Sequence, residues 1–294
     1  MAGQNDWATF FTTITGTRMK GKFSRLLLLA GLAGNGLAAE PLPLFDAHLH
    51  YNWEPTPRVT TAEALRLFEA AGVRGILANS RPNVGTHALY AARSDRLQVV
   101  PFLRPYRVRA DVQTWFNDPE TMTLIEDEYQ RHGYFAGIGE FHLHGEEARS
   151  PVVARMVRFA RERELMLHAH SDVAALEILF SLYPEGRIIW AHTGFALPAG
   201  EVERMLDAYP GLIAELSYRS GVTHGADRIS VEWRRLFERH PGRFLLGSDA
   251  WTNERWDRYE QIMASYRPWL DQLPPGVARQ IAWGNAARIF ALTP

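Results

Sequence analysis

Past residue 40 the chain alternates short apolar runs with longer stretches in which apolar residues recur every three or four positions. The short runs read as strands: LFDAHLH (44–50), GILANS (75–80), VVPFLR (99–104), FAGIGEFHL (135–143), LMLHAH (165–170), RIIWAHTGF (187–195), LIAELSY (212–218) and RFLLGSDAW (243–251). Between them, TAEALRLFEAAG, PVVARMVRFARERE and AGEVERMLDAYPG have the period of amphipathic helices. Eight strand–helix repeats in about 250 residues predict an α/β fold of the (β/α)8 TIM-barrel type. A doubly wound parallel sheet is the competing arrangement, and eight repeats at this length favour the barrel. No internal repeat, low-complexity segment or linker interrupts residues 40–294, which read as one domain.

A barrel turns the polar residues at its strand ends into a map. The active site of such a fold lies at the C-terminal ends of the strands, and alternate residues of a strand face the same side. The first strand ends in His48 and His50, with Asp46 expected one step deeper on the same face. The fourth carries Glu140, His142 and His144, the fifth His168 and His170, the sixth His192 and the eighth Asp249. Seven of the 11 histidines therefore fall at predicted strand ends. A lone histidine there is commonly a hydrogen-bonded core or rim residue. His-x-His, Glu, His, His and Asp together at five strand ends point to a metal site. The chain has no cysteine, so disulfides and thiolate ligands are excluded. Imidazole and carboxylate donors suit zinc first, and also manganese, iron or nickel, with one or two ions.

The start of the chain differs from the rest. From Met19, three basic residues (Lys20, Lys22, Arg25) precede a short apolar run at 26–33, and small residues follow with Gly36 and Ala38 placed as in a cleavage site. This layout predicts a secretory signal peptide within residues 1–39, with Met19 as its start, and hence a secreted or periplasmic product. The apolar run is too short to span a bilayer, so no stable membrane insertion is expected after cleavage. Cleavage near Ala39 leaves 28 basic residues against 32 acidic, a net charge of −4, and removes the only two lysines. A catalytic Schiff-base lysine is thereby excluded.

Taken together, these residues carry a resemblance. His48-x-His50, Glu140, His168, His192 and Asp249 resemble the metal-binding set of the amidohydrolase superfamily of metal-dependent TIM-barrel hydrolases. LMLHAH is similar to the fifth-strand PVxxH pattern, which puts His168 rather than His170 at the ligand position; IIWAHTGF is similar to AHxG on the sixth strand, and GNAARIF (284–290) to the GNAxRLF helix of the amidohydrolase-related branch. The resemblance spans about residues 44–290. Some members bridge two metals with a carboxylated lysine, which this chain lacks. TatD-type members use a glutamate there, and GIGE resembles their pattern, so the resemblance implies Glu140 as a bridging or supporting ligand. It also implies Asp249 and His192 as catalytic groups. His142, His144 and His170 match no common motif of the family.

Several residues are expected to meet substrate. Arg81 and Arg104 lie just past the second and third strands, Tyr218 and Arg219 end the seventh, and Trp251 follows Asp249; His142 and His170 flank the ligand set. Arginine suits a carboxylate or phosphate, although each of these residues could equally serve a rim salt bridge or packing. Tyr51 and Trp53 after His50 either line the mouth or pack in the loop. The arginine-rich ARMVRFARERE (154–164) fits the solvated face of an amphipathic helix, and with a mature charge of −4 a nucleic-acid partner is not expected. The reading is a metal-dependent hydrolase of a small ester, lactone, amide or phosphoester. The alternatives are a single-metal decarboxylase or a non-catalytic metal-binding scaffold. Substrate identity and oligomeric state stay open.

Overall fold

The computed structural model describes residues 41–292 apart from residues 55 and 226; the expected leader, residues 1–39, lies outside the described residues. Eight parallel strands follow one another in sequence order around the sheet. They are β1 (Leu44–Leu49), β2 (Val73–Ala78), β3 (Gln98–Leu103), β4 (Gly137–Leu143), β5 (Met166–Ser171), β6 (Ile188–Trp190), β7 (Leu212–Glu215) and β8 (Phe244–Leu245). β8 returns to β1 through bridges Asp46–Leu246 and Leu49–Ala250, which brings the sheet round into the expected barrel. Helices α1 (Thr61–Ala70), α2 (Val84–Ala91), α3 (Glu120–His132), α4 (Pro151–Glu162), α5 (Val173–Leu182), α6 (Ala199–Ala208) and α7 (Val231–Arg239) connect successive strands. After β8 the chain runs through the short helices α8 (Asn253–Asp257) and α9 (Tyr259–Ala264). Among the described residues no helix is long and apolar enough to cross a membrane.

Local chemistry starts the helices where the sequence changes period. Thr60 and Glu63 form a reciprocal capping box on α1, and Ser150, Asp172 and Ser230 cap α4, α5 and α7 with their side chains. On α4, Val153, Met156, Val157 and Ala160 are buried while Arg155 and Arg161 face water, paired with Glu126 and Glu185 at 2.7 Å each. The arginine-rich stretch is thus an ion-paired outer face.

Strand alternation sorts the apolar residues into two layers. Phe45, Leu77, Phe102, Met166, Ile189 and Leu245 fill the barrel interior, closed from below by Ala286 and Ile289. Leu49, Ile76, Ile138, Leu167 and Trp190 face the helices. The GNAARIF segment has a plain physical role in this arrangement. Buried Asn285 donates from Nδ2 to the Pro241 and Phe244 carbonyls at 2.8 and 2.9 Å, tying the barrel floor to the start of β8.

Strand extents differ from the sequence pattern at the C-terminal side. β6, β7 and β8 stop at Trp190, Glu215 and Leu245 rather than at 195, 218 and 251. The cause is backbone conformation: His192, Tyr218 and Asp249 have φ of 57°, 51° and 43°, which ends a strand. A second departure concerns Asp46. Between Asp46 and Leu49, β1 advances three residues while β2 advances two, from Ile76 to Ala78. This bulge switches the alternation. His48 and His50 face inward, but Asp46 turns to the helix layer, where it accepts from Ser248 N–H (2.7 Å) and Tyr259 O–H (2.9 Å). Burial pushes its carboxyl up to about 6. The inward Asp46 expected from simple alternation is therefore corrected.

Asp46→Ala leaves the buried Ser248 and Tyr259 donors without an acceptor, a cost of about 1–3 kcal/mol each. The expected outcome is a lower midpoint in urea unfolding with unchanged metal content; loss of metal would place Asp46 among the ligands after all.

Candidate metal centre

Four imidazoles and two carboxylates converge at the C-terminal mouth of the barrel. His48 and His50 come from β1, Glu140 from β4, His168 from β5, and His192 and Asp249 from the turns after β6 and β8. All six are at most 5 % exposed. His48 Nε2 lies 3.1 Å from His50 Nε2, 3.5 Å from Glu140 Oε1 and 3.4 Å from Asp249 Oδ1. His50 Nε2 lies 3.2 Å from Glu140 Oε2 and 3.1 Å from Asp249 Oδ1. His192 Nε2 stands 3.7 Å from Glu140 and 3.9 Å from Asp249.

The opposite nitrogens explain the orientation. His48 Nδ1 faces Glu215 Oε2 at 2.9 Å, His50 Nδ1 faces the Asn79 carbonyl at 2.6 Å, and His192 Nδ1 faces the Ser217 carbonyl at 3.0 Å. An ionised carboxylate and a carbonyl only accept, so Nδ1 of His48 and of His192 carries the proton, whereas His50 Nδ1 also lies 2.7 Å from Arg104 Nη1, which only donates. Burial works against ionisation of His48, but Asp249, Glu140 and Glu215 raise its pKa well above the usual imidazole range, and that of His192 is raised too; a bound cation would take the place of that proton and be met by the Nε2 lone pairs and two carboxylates. Lone pairs set 3.1 Å apart repel unless a proton or a metal cation lies between them. His168 makes the same point independently, because both its ring nitrogens are buried without a hydrogen-bond partner. Five groups have ligand atoms close enough to share an ion: His48–His50–Asp249, His48–Glu140–His192 and His48–His168–Glu215 share His48, Glu140–His142–His170 adjoins them, and His87–Glu128–His132 lies apart. This donor set fits a divalent metal.

Charge in the site follows from burial and neighbours. Burial works against ionisation of Glu140, but the imidazoles around it, His48 first, hold its carboxyl well below the usual range. Burial likewise opposes ionisation of Asp249, and His48 and His50 reverse that. His168 is pushed well below the usual imidazole range by burial and then by His48, which keeps it neutral and able to ligate. Burial first, then His170, Arg104 and His50, lowers His142 to about 3 against the opposing pull of Glu140.

Backbone geometry brings the groups this close. Gly139, just before Glu140, has φ of 134°, and a Cβ on it would lie 2.2 Å from the His168 carbonyl oxygen. A Cβ on Gly247 would lie 2.1 Å from Glu215 Oε1 and 2.8 Å from His48 Cβ. Only glycine lets β4 approach β5 and the β8 turn approach Glu215 in this way.

A family model described as amidohydrolase matches residues 103–292. The chain belongs to the amidohydrolase family. Two solved structures share the barrel. A TatD-family hydrolase from Entamoeba histolytica aligns with a TM-score of 0.56 at 11% identity, over 84% of this chain and 98% of its own. A TatD homologue from Escherichia coli K12 aligns with a TM-score of 0.58 at 14% identity, over 85% and 98%. At that identity these two speak for the fold. No curated protein matches the sequence significantly. Family and fold together make this amidohydrolase a metal-dependent hydrolase.

A cavity of about 540 Å³ opens over the amidohydrolase centre. His50, Glu140, His192 and Asp249 form part of its lining, and Arg81, Arg104, His142, His170 and Trp251 join them as expected for substrate-facing residues. Arg104 is buried and donates from Nη2 to Glu140 Oε2 at 3.0 Å. Arg81 forms a two-point ion pair with Glu54 at 2.5 and 2.8 Å. His170 Nδ1 lies 3.0 Å from Glu140 Oε1, and His142 stacks on His170 with ring centres 4.1 Å apart. His144 lies exposed at the rim.

Arg219 is a correction. Its guanidinium donates to the carbonyls of Phe195, Leu197 and Ser220 and lies 4.6 Å over the Trp233 ring, outside this cavity. The left-handed turn at Tyr218 sends Tyr218 into the cavity and Arg219 away from it. Tyr51 and Trp53 pack in the loop: the Tyr51 hydroxyl donates to the Val59 carbonyl, and neither ring lines the cavity.

Sequence reasoning missed Glu215, Asn79, Ser217, Arg109 and Phe195. Glu215 is wholly buried, with Oε2 accepting from His192 N–H (3.1 Å) and Oε1 from Ser217 N–H (2.5 Å) besides facing His48. Its only signal was a charged residue inside the apolar run LIAELSY. Glu215→Gln removes the charge and one of the two acceptor oxygens that serve His48, His192 and Ser217. Metal affinity should fall about 10–100-fold, measured by titration against a competing chelator; unchanged affinity would deny Glu215 that role.

Proposed function

We propose that the protein hydrolyses a small ester, lactone, amide or phosphoester with a divalent metal, zinc first, held by His48, His50, Glu140, His168, His192 and Asp249. The observation that carries this reading is the convergence of four buried imidazoles and two buried carboxylates, with both ring nitrogens of His168 lacking a hydrogen-bond partner. When bound, the ion lowers the pKa of a coordinated water toward neutrality and polarises an oxygen of the substrate.

The chain's own groups supply the rest. Asp249 sits at the boundary between the donor set and the cavity, with its carboxyl held ionised by His48 and His50. It accepts the proton of the attacking water and returns it to the leaving group. His192 also reaches the cavity, from the side of Phe195 and Tyr218, and stabilises charge developing on the substrate oxygen. Glu140 lies between the His48–His50 pair and His192, where it would help to hold the ion. Its central position favours hydrolysis over a single-metal decarboxylation. The pocket over the donor set supports a small-molecule substrate, and the ion-paired arginines of α4 support the same choice over nucleic acid. Secretion by the leader read at residues 19–39 belongs to this proposal, supported by its basic, apolar and small-residue segments.

The test is turnover of a panel of lactones, esters and phosphoesters by zinc-loaded protein. Asp249→Asn should lower kcat by about 100-fold or more; near-parental turnover in that variant would contradict its role as the base. Glu140→Gln should sharply reduce metal per chain by elemental analysis, and full occupancy would contradict its role as a ligand.

A further inference from the structure

Among the described residues, the large exposed aromatic side chains are Phe195, Tyr218 and Trp251, at 41, 48 and 40 % exposure. All three line the one cavity over the metal centre, although they come from three different strand-end loops. Two of them stand on costly backbone: Phe195 has φ of 54° and Tyr218 φ of 51°. A bulky residue in the left-handed region costs about 1–3 kcal/mol and persists where the surroundings enforce it, often at ligand clamps. Phe195 packs on His192 with ring centres 4.5 Å apart, and Tyr218 meets the same imidazole edge-on at 5.7 Å. The exposed rings are therefore held directly beside the reacting centre. Packing within the protein does not account for their exposure.

Charge at the mouth is equally particular. Three arginines line the cavity, against the two carboxylates of the donor set. Arg81 is neutralised by Glu54, and Arg104 lies against Glu140. Arg109 has no ion pair among the described residues, and its guanidinium stands 5.8 Å from the centre of the Trp251 ring. It is not on a loose loop. Asp111 accepts from the backbone N–H groups of Arg107 and Val108 at 2.7 and 3.2 Å and from the Arg107 guanidinium, which pins the 3-10 turn Arg109–Gln113 at the cavity edge. The site thus offers three exposed aromatic rings and one arginine without an ion pair among the described residues.

We infer that the cavity selects a substrate with a flat aromatic or conjugated body carrying an anionic group, its body held among Phe195, Tyr218 and Trp251 and its anion met by Arg109. This rests on the hydrolase reading for the bond that is cleaved, but the recognition chemistry stands on residues outside the donor set. Arginine pairs with carboxylate and phosphate and stacks on aromatic faces, so Arg109 over Trp251 meets both parts of such a molecule.

The experiment is calorimetric titration of zinc-loaded protein, with metal content measured on the same sample, using phenylacetate, phenyl phosphate, phenylacetamide and acetate. The two aromatic anions should bind at least about tenfold more tightly than the aromatic amide or the aliphatic anion. Which of the two binds better assigns the anion as carboxylate or phosphate. Arg109→Gln should remove most of the preference for anion over amide and leave phenylacetamide binding unchanged; Tyr218→Ala should weaken all three aromatic ligands. Unchanged phenylacetate and phenyl phosphate binding in Arg109→Gln would overturn the inference, since the metal alone would then hold the anion. Equal binding of acetate and phenylacetate, or no binding by metal-loaded protein, would also overturn it. Protein that takes up no zinc would instead contradict the hydrolase reading, and the four ligands would still decide the pocket.

Discussion

Lone pairs of buried imidazoles pointing at one another are the constraint on which the rest of this structure depends. His48 and His50 bring Nε2 atoms to 3.1 Å, with His48 Nδ1 held on Glu215 and His50 Nδ1 held between the Asn79 carbonyl and Arg104. His168 sits beside them with neither nitrogen satisfied. Burying such a set costs free energy unless a cation joins it. The barrel therefore stores an electrostatic demand at its mouth, and a divalent ion is the species that meets it.

The surrounding fold keeps that demand from relaxing. Glu215 accepts from His192 N–H and Ser217 N–H as well as from His48, so β1, β6 and β7 are fixed around one carboxylate. Asp46 does the same from outside the barrel, linking the β1 bulge to Ser248 and α9. Gly139 and Gly247 remove the Cβ atoms that would force the strands apart. Left-handed backbone at His192 and Asp249 then lifts these two groups off their strands and toward the cavity. Rigid second contacts of this kind hold ligands in place before the ion arrives.

Much of this was legible in the sequence, for a physical reason. Strand period and helix period differ, so eight parallel strands and their crossovers could be counted, and a barrel gathers its strand ends at one place. His48, His50, Glu140, His168, His192 and Asp249 follow from that rule, and the structure brings all six together. What was not legible depends on local departures from the rule. One bulge in β1 reversed the side on which Asp46 lies. One left-handed residue, Tyr218, separated the destinations of Tyr218 and Arg219. Glu215 looked like a stray charge in an apolar strand, because its partners His48 and His192 are 167 and 23 residues away. Arg109 and Phe195 lie in loops, whose course no periodicity encodes.

The central claim is that these donors hold a metal on which hydrolysis depends. Its most direct test is elemental analysis of metal per chain in protein purified without chelator. The account predicts one to two equivalents of a divalent metal, with zinc foremost. Protein with no metal, and with no uptake when zinc or manganese is added, would contradict it.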